Sequence, residues 1–160
     1  MPEVLSQFAL FGISVNTLCL QLFQRKLAQI GIDSILPQQA EMGLFARTLA
    51  SQDCVVMVSY SGESSHRTPM KYLPELNEKG VPVVALTSEG DNYLRDHADA
   101  VLSILAQENL YNKIGTFSTE ASINTLLDML YAMVFARNYR RNLEFKSSSS
   151  RAVEVNRRVD

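Results

Sequence analysis

Tryptophan is absent from this 160-residue chain, histidine occurs twice, and cysteine only at Cys19 and Cys54, so neither a disulfide framework nor a zinc-ligand spacing can be drawn. Both cysteines fall in apolar segments, one on a predicted helix and one on a predicted strand, and read as buried, reduced thiols of a cytoplasmic protein. Charge of one sign is lacking too. Fifteen lysines and arginines against 17 aspartates and glutamates leave a formal net charge of -2 and a pI near 5.7, which argues against a large nucleic-acid footprint. No run reaches the roughly 18 apolar residues of a membrane span, and the first residues lack the pattern of a cleavable leader, so a soluble protein without a membrane partner is expected. With few glycines and prolines, 46% apolar and 20% charged residues, the composition is that of a globular chain long enough for one domain with its own core.

What is present is an alternation of strand-like apolar runs with helix-like periodic segments, the pattern of an α/β layered domain with a mainly parallel sheet. Strands are expected at about Gln7 to Ile13, Ile32 to Pro37, Cys54 to Ser59, Val81 to Thr87 and Ala100 to Ile104. Helices are expected at about Thr17 to Ile30, Glu41 to Ala50, Thr68 to Lys79, Asn92 to Ala98 and Thr119 to Asn142. Gly31 and Gly80 sit where helix stops belong, and Pro74 should kink the third helix or shorten it to the part after Leu73. The longest helix starts behind a candidate Ser118 N-cap. It is apolar on more than one face, through Ile123, Leu126, Leu127, Leu130 and Val134 and through Met129, Ala132, Met133 and Phe135. Such a helix fits a subunit interface, or else a central core helix of a monomer. Arg137, Arg140 and Arg141 complement its C-terminal dipole. A polar loop spans Gln107 to Phe117, Ser147 to Ser150 reads as a flexible run, and Val153, Val155 and Val159 punctuate a short docking helix or a mobile end.

The most informative stretch is Ser59-Tyr60-Ser61-Gly62-Glu63-Ser64, directly behind the five-residue apolar run Cys54 to Val58. Five β-favouring residues in a row make a strand buried on both faces, and open α/β sheets bind ligands where such strands end. Three hydroxyls at i, i+2 and i+5, with a glycine that lets the backbone approach closely, can surround a phosphate as the next helix begins. A plain strand-to-helix turn with an N-cap serine is the competing reading.

Strand, Ser-x-Ser-Gly-Glu-Ser, helix and then the glycine-preceded strand Val81-Pro82-Val83-Val84-Ala85-Leu86-Thr87 resembles the SIS (sugar isomerase) domain of phosphosugar-binding proteins. Within that family it looks most like the C-terminal, effector-binding half of RpiR-type transcription regulators. The likeness runs from Phe8-Ala9-Leu10-Phe11-Gly12 to Leu126-Leu127-Asp128-Met129-Leu130-Tyr131. The resemblance implies a three-layer αβα sandwich with a five-stranded parallel, flavodoxin-like sheet and a long C-terminal dimerisation helix. Residues 1–146 would form the phosphosugar-binding domain and 147–160 a C-terminal tail. It implies phosphate-binding hydroxyls at Ser59, Ser61 and Ser64, with the backbone of Tyr60 and Gly62 close to the ligand and Glu63 orienting the loop or a sugar hydroxyl. Where relatives show Gly-x-Gly-x-Ser, this chain has Gly12-Ile13-Ser14-Val15-Asn16, so Ser14 and Asn16 take the places of a glycine and a ligand-contacting serine. Ser118 and Thr119 match a pair that closes over the sugar, and Glu120 is a candidate selector for hydroxyl-rich or amino sugars.

Isomerising a sugar phosphate needs a base to move a proton between adjacent carbons. Glu120, Glu63, His66 and His97 exhaust the strong options, and the sequence secures no acid/base pair among them. The resemblance therefore implies a sensor that binds a sugar phosphate as a homodimer or higher homo-oligomer. It would reach DNA only through a helix-turn-helix domain missing from this chain. A stand-alone isomerase is the alternative. No metal or cofactor is implied. The cations available to an anionic ligand are Arg67, Lys113 or a residue donated across a dimer.

Overall fold

The computed structural model describes residues 5–106 and 114–154. Continuous apolar runs form the strands β1 (Phe8–Phe11), β3 (Cys54–Val58) and β4 (Val83–Ser88), with the two-residue β2 (Ser34–Ile35) and β5 (Ala100–Ile104) at the edges. All four pairings are parallel, in the order β2-β1-β3-β4-β5. Every residue of β1 and β3 is buried, as a strand covered on both faces requires.

The period of two along each strand sends alternate side chains to opposite sides. Phe8, Leu10, Cys54, Val56 and Val58 meet α1 (Val15–Gln29) and α5 (Phe117–Arg137) through Leu20, Phe23, Leu27, Ile123 and Leu127. Ala9, Phe11, Val55, Met57, Val83 and Ala85 meet α2 (Met42–Thr48), α3 (Leu73–Glu78) and α4 (Tyr93–His97) through Met42, Ala46, Leu73, Leu76 and Leu94. The result is the expected three-layer αβα sandwich on a five-stranded parallel sheet.

Local differences from the sequence expectation have physical causes. Of the two forms expected for the third helix, kinked or shortened at Pro74, the structure has the shortened one: a 3₁₀ turn at Met70–Tyr72 precedes α3, with Pro74 in the first turn of α3, because prolines at 69 and 74 exclude an earlier start. Helix α5 begins at Phe117 with Thr116, not Ser118, as its N-cap residue. The helix expected to run unbroken to Asn142 stops at Arg137, and α6 (Tyr139–Glu154) follows after Asn138. Asn142, 2% exposed, causes the break: its Nδ2 donates to the carbonyls of Val134 and Phe135 at 3.3 and 3.1 Å, satisfying the last turn of α5.

Arg141 does not serve the end of its own helix. Its guanidinium donates to the carbonyls of Ile30 and Gly31 at 2.6 and 3.3 Å, capping α1 instead. The Phe145 ring covers Gly31, whose φ of +68° and lack of a Cβ allow that approach; a Cβ there would lie 2.7 Å from the ring. Ser147 to Ser150, expected to be flexible, lie within α6, which crosses from residue 146 into the segment read as a tail. Residues 107–113 of the expected polar loop, and Val155 and Val159, lie outside the described residues. Among the described residues no helix is long and apolar enough to cross a membrane.

Both cysteines are free and buried. Burial pushes the Cys54 thiol up from its ordinary 9.0 to about 11, and raises that of Cys19, with the charge of Glu120 adding to the effect. A thiol that stays protonated when folded but ionises when unfolded withdraws stability as pH rises from 9 toward 11, by up to about 3 kcal/mol for Cys54. Two results are expected. Ellman's reagent at pH 8 should find no reactive thiol until urea is added, and urea stability should fall less steeply between pH 9 and 11 in Cys54→Ala than in the wild type.

Candidate functional site

In a sheet of order 2-1-3-4-5 the connections leave β1 and β3 in opposite directions, which opens a crevice at their carboxyl ends. Two segments emerge there: the Gly12 to Asn16 turn behind β1 and the serine loop behind β3. Asn16 joins them, its Nδ2 donating to the Val58 carbonyl at 3.4 Å. The turn itself closes through Asn16 N–H to Ile13 and Thr17 N–H to Ser14, at 3.2 and 3.0 Å.

Ser14 holds φ +54° and ψ -131°, a region a side chain occupies at a cost of about 1–3 kcal/mol. The chain keeps a backbone suited to glycine while placing an exposed hydroxyl at the mouth of the crevice.

The serine loop leaves the sheet with the Ser59 N–H donating to the Leu86 carbonyl at 3.0 Å. No helix starts behind it, contrary to expectation: residues 59–69 run as turns and bends up to the 3₁₀ turn. An anion at this loop would therefore meet the loop's own amides, not a helix N-terminus. Ser59 Oγ accepts the Gly62 N–H at 3.2 Å, and Ser64 Oγ accepts the His66 N–H at 3.3 Å. Each hydroxyl is oriented by what it accepts and keeps its proton to give.

Two carbonyls of the loop face inward: that of Tyr60 accepts the Ser88 N–H and that of Gly62 accepts the Leu94 N–H, both at 2.9 Å. Across a trans peptide the following N–H points the opposite way, so those of Ser61 and Glu63 turn to the open side of the loop. With Gly62 at φ +56°, the Ser61 and Glu63 amides lie on one side of a tight bend, the kind of paired donors that an anion could accept from. Ser61 and Glu63 are exposed, and Tyr60 and Ser64 half-buried.

Ser118, Thr119 and Glu120 occupy the first turn of α5, all half-buried. Cys19 and Leu20 of α1 share a core cluster with Ile123 of α5, which sets this turn beside the first turns of α1, and the Ser122 hydroxyl accepts the Leu105 N–H at 3.0 Å at the end of β5. The carboxylate of Glu120 is held by the Thr116 hydroxyl within its own turn rather than by the serine loop. Glu63, His66 and Arg67 are exposed on the loop, and the His97 ring stacks on Tyr93 at 4.1 Å on the surface. Lys113 lies outside the described residues. Among the described residues no three His, Cys, Asp or Glu side chains are grouped to hold a metal ion.

Sequence reasoning missed the residues behind the loop: Thr87, fully buried at the end of an apolar strand, and Asn92, 8% exposed at the start of α4. A polar residue closing a buried strand and an N-cap before Tyr93 were the available signals, but neither pointed to the serine loop.

The family model for the SIS domain matches residues 10–135. An uncharacterized HTH-type transcriptional regulator of Clostridium perfringens is 22% identical over 142 residues, covering 89% of this chain and 50% of its own length, so the chain spans half of this curated relative. Among solved structures, Vibrio vulnificus NanR complexed with ManNAc-6P superposes with a TM-score of 0.77 at 17% identity, covering 93% of this chain and 56% of that one. A putative sugar-phosphate isomerase of Listeria monocytogenes gives 0.76 at 11% identity, covering 96% and 78%. The sugar isomerase domain of an RpiR transcription factor from Sphaerobacter thermophilus gives 0.69 at 20%, covering 92% and 79%. At these identities the structural likenesses show the fold, which regulators and isomerases share.

Proposed function

We propose that this chain, which belongs to the SIS domain family, is the sugar-phosphate-sensing part of a bacterial transcription regulator of the RpiR type. The observation that carries the reading is the serine loop at the β1/β3 crevice. Its Ser61 and Glu63 N–H groups and its Ser59 and Ser64 hydroxyls are oriented by bonds made on the side away from the ligand. Asn16, Ser14 and Ser61 border the phosphate, while Ser118, Thr119 and Glu120 reach the sugar from α5. DNA binding would come from a helix-turn-helix domain outside these residues, a reading that the HTH-type relative supports. Two free, buried thiols suit the cytoplasm, where such an effector is met.

Thermal shift and calorimetric titration with ManNAc-6P, other aldose and ketose phosphates and inorganic phosphate test the pocket. A ligand at 100 times its Kd adds about 2.7 kcal/mol and should raise the melting temperature by several degrees. If no sugar phosphate does so, the reading fails. A stand-alone isomerase is the second reading, favoured by Glu120 on the first turn of α5 as a candidate base. Turnover of any of these phosphates at an enzymatic rate would establish it and sink the sensor.

A homodimer is the expected assembly. Helices α1 and α5 lie side by side, with Cys19 and Ile123 in one core cluster near their starts and the Lys26–Asp128 ion pair further along. Their outer faces leave Leu18, Leu22, Met129 and Met133 exposed, Leu18 by 62% and Met133 by 70%. A second copy would cover this face, which continues the long helix expected to dimerise. Light scattering should report a dimer for the wild type and a monomer for Leu18→Glu/Met133→Glu. A monomeric wild type would remove the assembly from the proposal.

A further inference from the structure

We infer that Thr87 and Asn92, buried behind the serine loop and out of reach of any ligand in the crevice, are positioning residues that set its affinity for anions. The inference rests on the sugar-phosphate reading of that loop. Thr87 is wholly buried behind the apolar run Val83 to Leu86 of β4, where valine would pack as well and would bury no hydroxyl. Its hydroxyl is used in both directions: Asn92 Nδ2 donates to it at 3.1 Å, and it donates to the Tyr60 carbonyl at 3.2 Å. Asn92 is fixed in turn, since its Oδ1 accepts the Arg95 N–H at 2.9 Å as the N-cap of α4.

The Tyr60 carbonyl thus receives two donors, the Thr87 hydroxyl and the Ser88 N–H. Both of its lone-pair directions are occupied. A flip of the Tyr60–Ser61 peptide would aim that carbonyl at the anion and withdraw the Ser61 N–H, exchanging attraction for repulsion. The Thr87–Asn92 pair holds the attractive orientation before the ligand arrives, and a binding-competent loop that is only partly populated binds more weakly in proportion. Helix α4 adds the second anchor through the Leu94 N–H on the Gly62 carbonyl, so the same helix start fixes both peptides.

Thr87→Val and Thr87→Ser separate positioning from packing. If the hydroxyl only fills space, valine is the better substitute and serine, which leaves a methyl-sized gap, the worse. If it holds the loop, serine keeps the bond and valine loses it. In calorimetric titration with ManNAc-6P and inorganic phosphate, the valine variant should bind about tenfold more weakly, the worth of about one hydrogen bond. The serine variant should bind within about twofold of the wild type and melt the higher of the two, because valine also costs the buried Asn92 amide its acceptor. Amide spectra of the unliganded proteins provide a readout that needs no ligand. The Ser61 and Glu63 signals should move in Thr87→Val and return in Thr87→Ser. Unmoved loop amides, or equal affinities for the valine variant and the wild type, would overturn the positioning role. A wild type that binds no phosphate probe would overturn the sugar-phosphate reading and with it the affinity role, whatever the loop amides show.

Discussion

Gly62→Ala is expected to lower the melting temperature by about 5–15 °C and to abolish measurable sugar-phosphate binding. Gly62 sits at φ +56°, and a Cβ built there meets Asn92 Oδ1 at 2.4 Å and Thr87 Oγ1 at 2.7 Å, closer than real Cβ atoms come. Neither neighbour is free to yield. Asn92 Oδ1 caps α4 and the Thr87 hydroxyl serves Tyr60, so relief of the clash breaks the bonds that hold the loop. A left-handed backbone costs an alanine about 1–2 kcal/mol, and the lost cap adds about 0.5–2 kcal/mol. Together these come to roughly 2–4 kcal/mol, at about 2–4 °C per kcal/mol for a chain of this size. Differential scanning calorimetry and titration of the variant check both effects. A variant that melts and binds like the wild type would show that Gly62 does not lie against Asn92.

How much of this was legible in the sequence depends on the range of the forces involved. The strand Ala100 to Ile104, the helix stop at Gly31 and the shortening of the third helix at Pro74 are set by local pattern and backbone chemistry, and the structure repeats them. The break at Asn138 was not legible. The apolar period continues through it, and the cause is a buried amide four residues on that satisfies α5 from outside, helped by an arginine bound to the end of α1. The serine loop was legible as a ligand edge but not in its workings, because the groups that orient it arrive from Ser88, Thr87 and Leu94, between 27 and 32 positions away along the chain. The supposed helix behind the loop failed for a local reason that the same sequence carries in Pro69 and Pro74.

Where Gly62→Ala damages fold and site together, replacing the hydroxyls should damage the site alone. Ser59→Ala/Ser61→Ala/Ser64→Ala is expected to weaken sugar-phosphate binding by at least 100-fold. Hydrogen bonds to a charged partner are worth about 1.5–3 kcal/mol each, and two lost bonds already reach that factor. The fold should survive. Ser61 is exposed, and the loop bonds accepted by Ser59 and Ser64, at 3.2 and 3.3 Å, are long ones whose loss costs about 0.5–1 kcal/mol apiece. The melting temperature without ligand should therefore fall by only a few degrees, while the rise on adding ManNAc-6P should vanish. The inward-facing carbonyls of Tyr60 and Gly62 keep their donors in this variant, so the Ser61 and Glu63 amides keep their orientation and inorganic phosphate should retain weak binding. Wild-type affinity in the triple variant would move the phosphate elsewhere in the crevice, toward Ser14 and Asn16. Loss of the folded state would instead assign the serines to the architecture of the loop.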